Sequence, residues 1–378
     1  MIVVSDTTAL TTLIKAGLEH LLPGLFGEVR IPQAVAHELL QFHPALPSWC
    51  QIESAKESPL LDALRIGQLL DRELHVHQAH DVERDIDVAL KVLLRMDADG
   101  VYKLKAEFPD RFYNCGVAEA NMIGVAAGLA QSGLRPFCYT ITPFITYRCM
   151  EQIRVDLCYH HLPVTVVGTG SGLSYASLGG THHSCEEMGM LRLLPGLTVC
   201  GPADAPELRA LLRETLNQNG PVYLRIGKKG EPQMHSDVPL LKFGQSVTLR
   251  EGSDACILSI GTVLPVAMAA AEKLAAGGVS THVVTFPTLK PLDEKCLLDA
   301  FSRFKVVATL EEHSILGGLG GSVAEWKSDH PELNGRLIRL GTPDEFLHLT
   351  CEQDEAREHY GLTAEGVAGR IEKLLRTT

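Results

Sequence analysis

The chain lacks the features that mark membrane and secreted proteins. Its 378 residues contain no run of eighteen consecutive apolar side chains, so the sequence offers no candidate for a membrane-spanning helix. The N-terminal sequence Met1–Asp6 has neither a basic segment nor a long apolar core, as a secretory signal would. We therefore expect a cytoplasmic protein that has no membrane among its partners.

The chain also lacks paired cysteines and an excess of positive charge. Its ten cysteines form no Cys-x-x-Cys pair and no spacing typical of zinc ligands, so they are expected to be reduced core residues. The net charge is −12, with acidic and basic residues interspersed, which argues against a nucleic-acid-binding surface on the main body. The length allows two or three domains with their own cores.

Two long segments of the chain alternate helical patterns with short β-rich runs, as in a parallel sheet covered by helices. The first covers residues 81–235 and the second covers residues 243–378. Lys228–Leu241 is rich in prolines and charges and is the expected linker between them. We predict α/β architecture, with two doubly wound domains after a smaller N-terminal module. The predicted strands include Leu162–Gly168, Tyr223–Ile226, Ala255–Gly261, Thr281–Phe286 and Val306–Glu311.

A carboxylate in an unusual position marks the first of these domains. Glu119 begins a predicted helix of small residues, in which Gly124, Ala127 and Gly128 stand three and four apart. Such a helix is normally buried, so Glu119 is expected to have a partner. At the N-terminal end of a helix dipole, the carboxylate can hold a proton for a ligand nitrogen. The alternative is that Glu119 only caps the helix.

From about Asp97 to the C-terminus the sequence resembles the C-terminal half of a transketolase. It is most similar to split members of that family, in which the pyrimidine-binding and C-terminal domains form one polypeptide. The matching segments occur in the family's order over roughly three quarters of the chain. They are Phe108–Phe112, Gly116–Met122, Thr142–Phe144 with Glu151–Arg154, Gly179–His183, Leu194–Val199, Gly201–Asp204 and Gly220–Arg225.

This resemblance implies that the chain binds thiamine diphosphate. In the family a carboxylic acid forms a hydrogen bond with a ring nitrogen of the cofactor's aminopyrimidine, and Glu119 matches that residue. The pyrimidine ring also needs a flat apolar neighbour. Phe144 is at the matching position and Tyr147 is a weaker candidate, although either could be an ordinary core residue.

Three further residues are implied to bind substrate. His182 matches the family histidine that approaches a hydroxyl or carbonyl oxygen of the substrate and can move protons. His183 is expected to assist it, with a supporting hydrogen bond as the alternative role. Lys228 falls where transketolases carry an arginine for the sugar phosphate. A lysine keeps the charge and loses the bidentate geometry, and a solvated surface lysine is the alternative.

Two departures from the family limit what this chain is expected to do alone. Leu178 replaces the aspartate that reads a hydroxyl of the acceptor sugar, which leaves the acceptor open. The half that holds the diphosphate through magnesium is missing, and no Gly-Asp-Gly sequence occurs in the chain. We therefore expect a separate diphosphate-binding subunit to hold most of the magnesium site, in an assembly that also contains a second copy of this chain, as in a heterotetramer.

Residues 1–75 resemble the start of a PIN domain. In that family, carboxylates at the end of the first strand and on a following helix hold a divalent metal for RNA cleavage, and Asp6 and Glu38 stand at those positions. The remaining acids have no recognisable pattern, so the module is expected to be incomplete.

Two functions from different classes remain open at this stage. The first is two-carbon ketol transfer by a transketolase-like subunit. The second is a PIN-type metal-dependent ribonuclease with a non-catalytic transketolase-like appendage. Deoxyxylulose-phosphate synthases and dehydrogenase-type β subunits share much of the same architecture and stay as alternatives within the first class.

Overall fold

The computed structural model describes residues 2–3, 29–32, 36, 40, 46, 50–53, 106, 108–228 and 230–377. Asp6 and Glu38 lie outside these residues, so the metal site of the N-terminal module stays a prediction. The chain divides into two compact units, Met1–His75 and Val76–Thr378. In the first unit, three short strands pair in parallel in chain order: β1 (Ile2–Val3), β2 (Val29–Pro32) and β3 (Cys50–Glu53).

The first sheet of the larger unit contains four parallel strands, of which β5 and β7 are fully buried. Two of them coincide with strands predicted from short β-rich runs, with ends that differ by up to three residues. A strand buried on both faces has no regular polar alternation, which is why these runs could be recognised by their β-branched and aromatic residues instead. The strands are β4 (Phe137–Ile141), β5 (Thr165–Thr169), β6 (Thr198–Cys200) and β7 (Val222–Arg225), in the spatial order β6, β7, β5, β4.

The first helix of this domain precedes β4 in sequence, and the others lie between its strands. The short helix α2 includes Pro143 in its first turn, where the missing N–H of proline costs nothing. Helix α5 begins after Asp204, whose side chain accepts a hydrogen bond from Glu207 N and caps the helix. The helices are α1 (Glu119–Gln131), α2 (Thr142–Thr146), α3 (Met150–Gln152), which continues as a π-helix over Ile153–Tyr159, α4 (Glu187–Leu191) and α5 (Ala205–Thr215).

The C-terminal domain repeats the arrangement with its own sheet and helices. Three of its strands were predicted, and the edge strand β8 is antiparallel to its neighbour. The strands of this sheet are β8 (Val247–Arg250), β9 (Ala255–Ile260), β10 (Thr281–Thr285), β12 (Val306–Ser314) and β13 (Arg336–Thr342), in the order β13, β12, β9, β10, β8. The helices are α6 (Leu264–Ala276), α7 (Glu294–Arg303), α8 (Leu319–Ser328), α9 (Gln353–His359) and α10 (Ala364–Leu375).

The two domains of the larger unit share a strand and a core. Strand β11 (Thr288–Lys290) follows the linker in sequence, yet it pairs antiparallel with β6 and completes the first sheet. One apolar cluster extends from Ile123 in α1 to Phe286 and Trp326 of the C-terminal domain. Both sheets therefore consist of four parallel strands and one antiparallel edge strand, rather than the purely parallel sheets that the sequence favours. Within the described part of the chain, no helix has the length and apolar character needed to cross a membrane.

Candidate cofactor and substrate site

The candidate residues converge at the carboxyl ends of two neighbouring parallel strands. Strand β4 runs directly into α2, which places Phe144 just beyond the strand end. The segment that follows β5 carries His182. Ligands of open α/β sheets bind at this end of the strands, where the connecting segments leave a crevice. The Phe144 and His182 rings lie edge to face with their centroids 5.2 Å apart.

Glu119 and Phe144 meet around one flat cationic group. The side chain of Glu119 is only 13% exposed, and its two carboxylate oxygens accept hydrogen bonds of 3.3 Å from Arg148 Nη1. The guanidinium carbon of Arg148 lies 4.1 Å from the centroid of the Phe144 ring. Glu119 is therefore paired with an arginine of the same chain, and its predicted role towards a ligand nitrogen stays a prediction.

This arrangement fits the aminopyrimidine of thiamine diphosphate. That ring is also flat, needs an aromatic face on one side and accepts a hydrogen bond at a ring nitrogen from a carboxylic acid. Arg148 already makes both kinds of contact, stacking on Phe144 and hydrogen bonding to Glu119. A largely covered carboxylate and a half-buried phenyl ring thus offer the two features that the cofactor requires.

The small-residue helix α1 is more open than its sequence indicates. Gly124 is exposed and Gly128 is half-buried, whereas Ala127 is buried as expected. A Cβ atom added at Gly124 or Gly128 would have no neighbour within 4 Å. The expectation of a fully buried helix is wrong for this chain, because only one side of α1 packs on the domain core.

Tyr147 is held in place through its hydroxyl, and its role as a second stacking candidate stays a prediction. Its hydroxyl donates to Glu186 Oε2 at 2.6 Å and lies 2.8 Å from Ser184 Oγ. Burial, followed by the nearby Glu187 carboxylate, raises the pKa of Tyr147 above its ordinary value, so the phenol keeps its proton. Tyr147 therefore connects α2 to the segment that carries His182.

The two histidines of the site differ in environment. His182 is half-buried, and its Nδ1 lies 2.8 Å from the hydroxyl of Thr181. His183 is buried, and neither of its ring nitrogens has a hydrogen-bond partner among the residues that the structure describes. Burial lowers the pKa of His183, which keeps the imidazole neutral. His182 is thus the more accessible of the two.

Lys228 lies just beyond the end of β7 and is exposed. Its ammonium nitrogen is 5.4 Å from the centroid of the Tyr175 ring, a cation–π contact. The substrate-binding role of Lys228 stays a prediction.

A buried ion pair behind the site was not predicted from the sequence. Arg225 Nε donates to Glu187 Oε1 at 2.5 Å, and both side chains are at most 4% exposed. Ser184 Oγ donates to the other oxygen of Glu187 at 2.7 Å. Arg225 stands in a matched segment, and a cation at the end of a buried strand was the signal that could have identified it.

The described residues contain no group of three or more His, Cys, Asp or Glu side chains that could hold a metal. Several cysteines are buried in the core. Burial raises the pKa of Cys138 to about 12 and also raises the pKa of Cys200 and Cys256, so these thiols stay protonated and are poor nucleophiles.

Three family models match the chain. The transketolase pyrimidine-binding domain matches residues 80–232, the transketolase C-terminal domain matches residues 244–367, and a PIN domain family matches residues 2–76. These assignments follow the order that the sequence indicated.

Known relatives have the same division of the polypeptide. A 6-deoxy-6-sulfo-D-fructose transketolase subunit of Clostridium sp. (strain MSTE9) is 37% identical over 272 residues, which are 72% of this chain and 84% of the relative. An apulose-4-phosphate transketolase subunit of Actinobacillus succinogenes is 35% identical, over 69% of this chain and 84% of its own. A solved structure described as a split gene transketolase, inactive beta4 tetramer, is 34% identical with a TM-score of 0.69, and the match covers 78% of this chain and 98% of that one.

The fold and these relatives define a transferase subunit of the thiamine-diphosphate-dependent type. The chain belongs to the transketolase family and contains the pyrimidine-binding and C-terminal domains of its split members.

Proposed function

We propose that this chain is the pyrimidine-binding subunit of a split transketolase and transfers a two-carbon ketol unit together with a separate diphosphate-binding subunit. The observation that carries the proposal is the convergence of Glu119, Phe144 and His182, from three separate segments, at the carboxyl ends of β4 and β5. When bound, thiamine diphosphate supplies a thiazolium carbon that can add to a ketose carbonyl.

The residues of this chain have distinct roles in the proposed reaction. Glu119 forms the hydrogen bond to the pyrimidine ring nitrogen, and its side chain is only 13% exposed, so little water competes for that bond. Phe144 supports the flat face of the ring. His182 exchanges a hydrogen bond with an oxygen of the substrate, and His183 assists it. Lys228, which is exposed, binds an anionic group of the substrate. Tyr147 acts by holding the His182 segment against α2.

Magnesium and the diphosphate are assigned to the partner subunit. A diphosphate in an active site needs a cation held by oxygen ligands, and the described part of this chain offers no cluster for one. The sulfofructose and apulose-phosphate relatives are subunits of enzymes that act on a sulfonated or a phosphorylated sugar. We therefore propose a ketose with an anionic group as the substrate class, a heterotetramer as the assembly and the cytoplasm as its location.

Reconstitution tests the proposal. The purified chain should bind thiamine diphosphate weakly and show no ketol transfer. Addition of a Gly-Asp-Gly-containing partner subunit and magnesium should produce tight cofactor binding and ketol transfer. Partners can be found by co-purification, and 6-deoxy-6-sulfo-D-fructose and apulose 4-phosphate are suitable first donors. Robust ketol transfer by the purified chain alone would contradict the proposal that two different subunits share the active site.

Glu119→Gln provides the sharper test in the reconstituted complex. The amide keeps the shape of the side chain and cannot share a proton with the ring nitrogen in the same way. We expect hydrogen–deuterium exchange at the thiazolium carbon to slow by about a hundredfold or more, the scale of general acid–base effects. The control is Glu151→Gln, which alters an exposed carboxylate of the same domain. An unchanged exchange rate would mean that Glu119 is only a helix cap.

A further inference from the structure

The segment that carries His182 is held from the C-terminal domain. We call residues 179–191 the histidine segment, which includes helix α4. The backbone N–H of Ser314, at the end of β12, donates to the carbonyl of Cys185 at 2.6 Å. This bond joins the last residue of a C-terminal-domain strand to the middle of the histidine segment.

Arg225 makes a second connection between the same two elements. Its Nη2 donates to the carbonyl of Ser184 at 3.1 Å and to the carbonyl of Glu312 at 2.8 Å. Glu312 in turn accepts a 3.0 Å hydrogen bond from Leu173 N, on the segment that leads from β5. A guanidinium that is 4% exposed thus bridges the two domains beside the histidine segment.

His313 makes the third connection, and its surroundings define its tautomer. Its Nδ1 lies 2.8 Å from the carbonyl oxygen of Ser314, which can only accept, so Nδ1 carries the hydrogen. Its Nε2 is then the acceptor for the N–H of Gly189 in α4, at 3.1 Å. The imidazole is fully buried, and Glu311 Oε2 lies 3.9 Å from Nδ1. The ring is therefore fixed as an acceptor that faces the histidine segment.

The backbones of the two domains are too close together at Gly189 to leave room for a side chain there. A Cβ atom on Gly189 would lie 3.1 Å from the carbonyl carbon of Gly317 and 3.2 Å from His313 Cε1. Gly317 has a φ of +88°, in the left-handed region that favours glycine. Two glycines thus bring the backbones of the two domains together beside the histidine ring.

We propose that His313 is a positioning residue for the transfer reaction, which acts from the C-terminal domain by holding the histidine segment so that His182 faces the cofactor site. The inference rests on the proposed function of His182 and adds a role for the C-terminal domain. In this arrangement, the contact that sets the position of His182 comes from outside the domain that binds the pyrimidine. Glu119 and Phe144 lie on α1 and α2, so His313 acts on the substrate side of the site and leaves cofactor binding unchanged.

Two substitutions at one position separate hydrogen bonding from packing. His313→Gln retains an amide oxygen where Nε2 stood and can still accept from Gly189 N–H, whereas His313→Leu cannot. His330→Leu is the control, because it alters another histidine of the same domain that stacks on Trp326, away from the histidine segment. Thermal unfolding of each full-length variant is measured first, to show that all three fold.

The first measurement is amide hydrogen exchange of the full chain. We expect the Gly189 amide to exchange about ten to a hundred times faster in His313→Leu, the range that corresponds to one lost buried hydrogen bond. His313→Gln and His330→Leu should remain close to the parent protein. This readout needs no partner subunit, so it tests the interdomain contact even where reconstitution fails.

The second measurement uses the reconstituted complex. We expect kcat/KM for the ketose donor to fall about tenfold or more in His313→Leu, since small displacements of a substrate-positioning group are costly. His313→Gln should restore most of it, and the dissociation constant of thiamine diphosphate should stay within about twofold throughout. Parent-like kinetics in His313→Leu, or an equal loss in both His313 variants, would overturn the inference. A complex that never transfers a ketol unit would instead contradict the proposed function, with the exchange result unaffected.

Discussion

At the scale of single residues, Arg148 has the most immediate consequence for cofactor binding. Its guanidinium occupies the face of Phe144 and the carboxylate of Glu119, the two groups that the pyrimidine ring would use. Binding of the proposed cofactor would therefore displace an existing ion pair and an existing cation–π contact. Arg148 stands one helical turn after Phe144, and this i, i+4 spacing was the sequence signal that could have identified the contact.

We expect Arg148→Ala to tighten the binding of thiamine diphosphate to the reconstituted complex by about threefold to tenfold. Half-exposed ion pairs and cation–π contacts each contribute about 1 kcal/mol or less, and their loss from the free protein removes that competition. Isothermal titration calorimetry measures the change. Arg154→Ala, at an exposed position of the π-helix, is the matched control. Weaker binding in Arg148→Ala would show instead that Arg148 holds the cofactor.

A second residue-scale prediction concerns the pH dependence of stability around His235. Burial would lower the pKa of His235, but its hydrogen bond to Asp204 Oδ2 at 3.0 Å and the Glu207 carboxylate raise it. Burial raises the pKa of Glu207 to about 7, although the N–H of Ala203 donates to it. Both folded-state pKa values lie above the unfolded ones. Their contribution to stability is therefore full at low pH and is lost as the pH rises through the folded values.

Glu207→Gln isolates this effect. The amide oxygen can still accept from Ala203 N–H, and the titration between the ordinary pKa of glutamate and about 7 is removed. We expect the parent protein to lose several degrees of Tm relative to this variant between pH 5 and pH 8, as measured by thermal unfolding in matched buffers. Glu214→Gln, at the half-buried end of the same helix, is the control. A constant difference in Tm across this range would contradict the assignment.

At the scale of elements, the open face of α1 is the feature most closely tied to assembly. The helix begins at Glu119, so a subunit that covers the cofactor site from outside would also lie near this face. Gly124 and Gly128 leave space beside the helix that a partner backbone can use.

We expect Gly124→Leu to weaken assembly with the diphosphate-binding subunit by about tenfold or more, and to leave the isolated chain folded and equally or more stable, since glycine is unfavourable in helices. Gly369→Leu is a close control, because Gly369 lies inside α10, is exposed and likewise has no neighbour within 4 Å of an added Cβ. Analytical ultracentrifugation of each variant with the partner measures the effect. If both variants assemble with the partner equally well, the open face of α1 is not part of the interface.

The elements also show how much could be predicted from the sequence. Buried strands such as Ala255–Ile260 and Thr281–Thr285 were found because their short runs are rich in residues that favour strands and are bounded by turn-forming residues. The antiparallel direction of β8 and the three-residue strand β11 were missed, since strand direction and pairing depend on contacts that are distant in sequence. In the site, ordered motifs pointed to Glu119 and Phe144, whereas the contacts of Arg148 with Glu119 and of His313 with Gly189 join residues that are distant in sequence.

At the scale of the whole molecule, the N-terminal unit is a separate compact body. Its match to a PIN family covers residues 2–76, and metal-dependent hydrolysis needs several carboxylates that converge on one point. The sequence supplies only Asp6 and Glu38 at recognisable positions.

We therefore expect no metal-dependent ribonuclease activity that depends on Asp6 or Glu38. The full chain and residues 1–80 can be assayed against structured and unstructured RNA with magnesium and manganese, beside Asp6→Asn. Cleavage that disappears in Asp6→Asn would make RNA processing a second function of the chain.

Strand β11 has a consequence for how the protein is made. The pyrimidine-binding domain leaves the ribosome before the strand that completes its sheet, because residues 288–290 follow the linker and three strands of the next domain. Until they emerge, the edge of β6 lacks its final neighbour, and exposed strand edges promote association between nascent chains. The sheet of the pyrimidine-binding domain is therefore complete only after part of the C-terminal domain has been synthesised. This dependence favours keeping the two domains on one polypeptide, even where the family divides the rest of the enzyme between subunits.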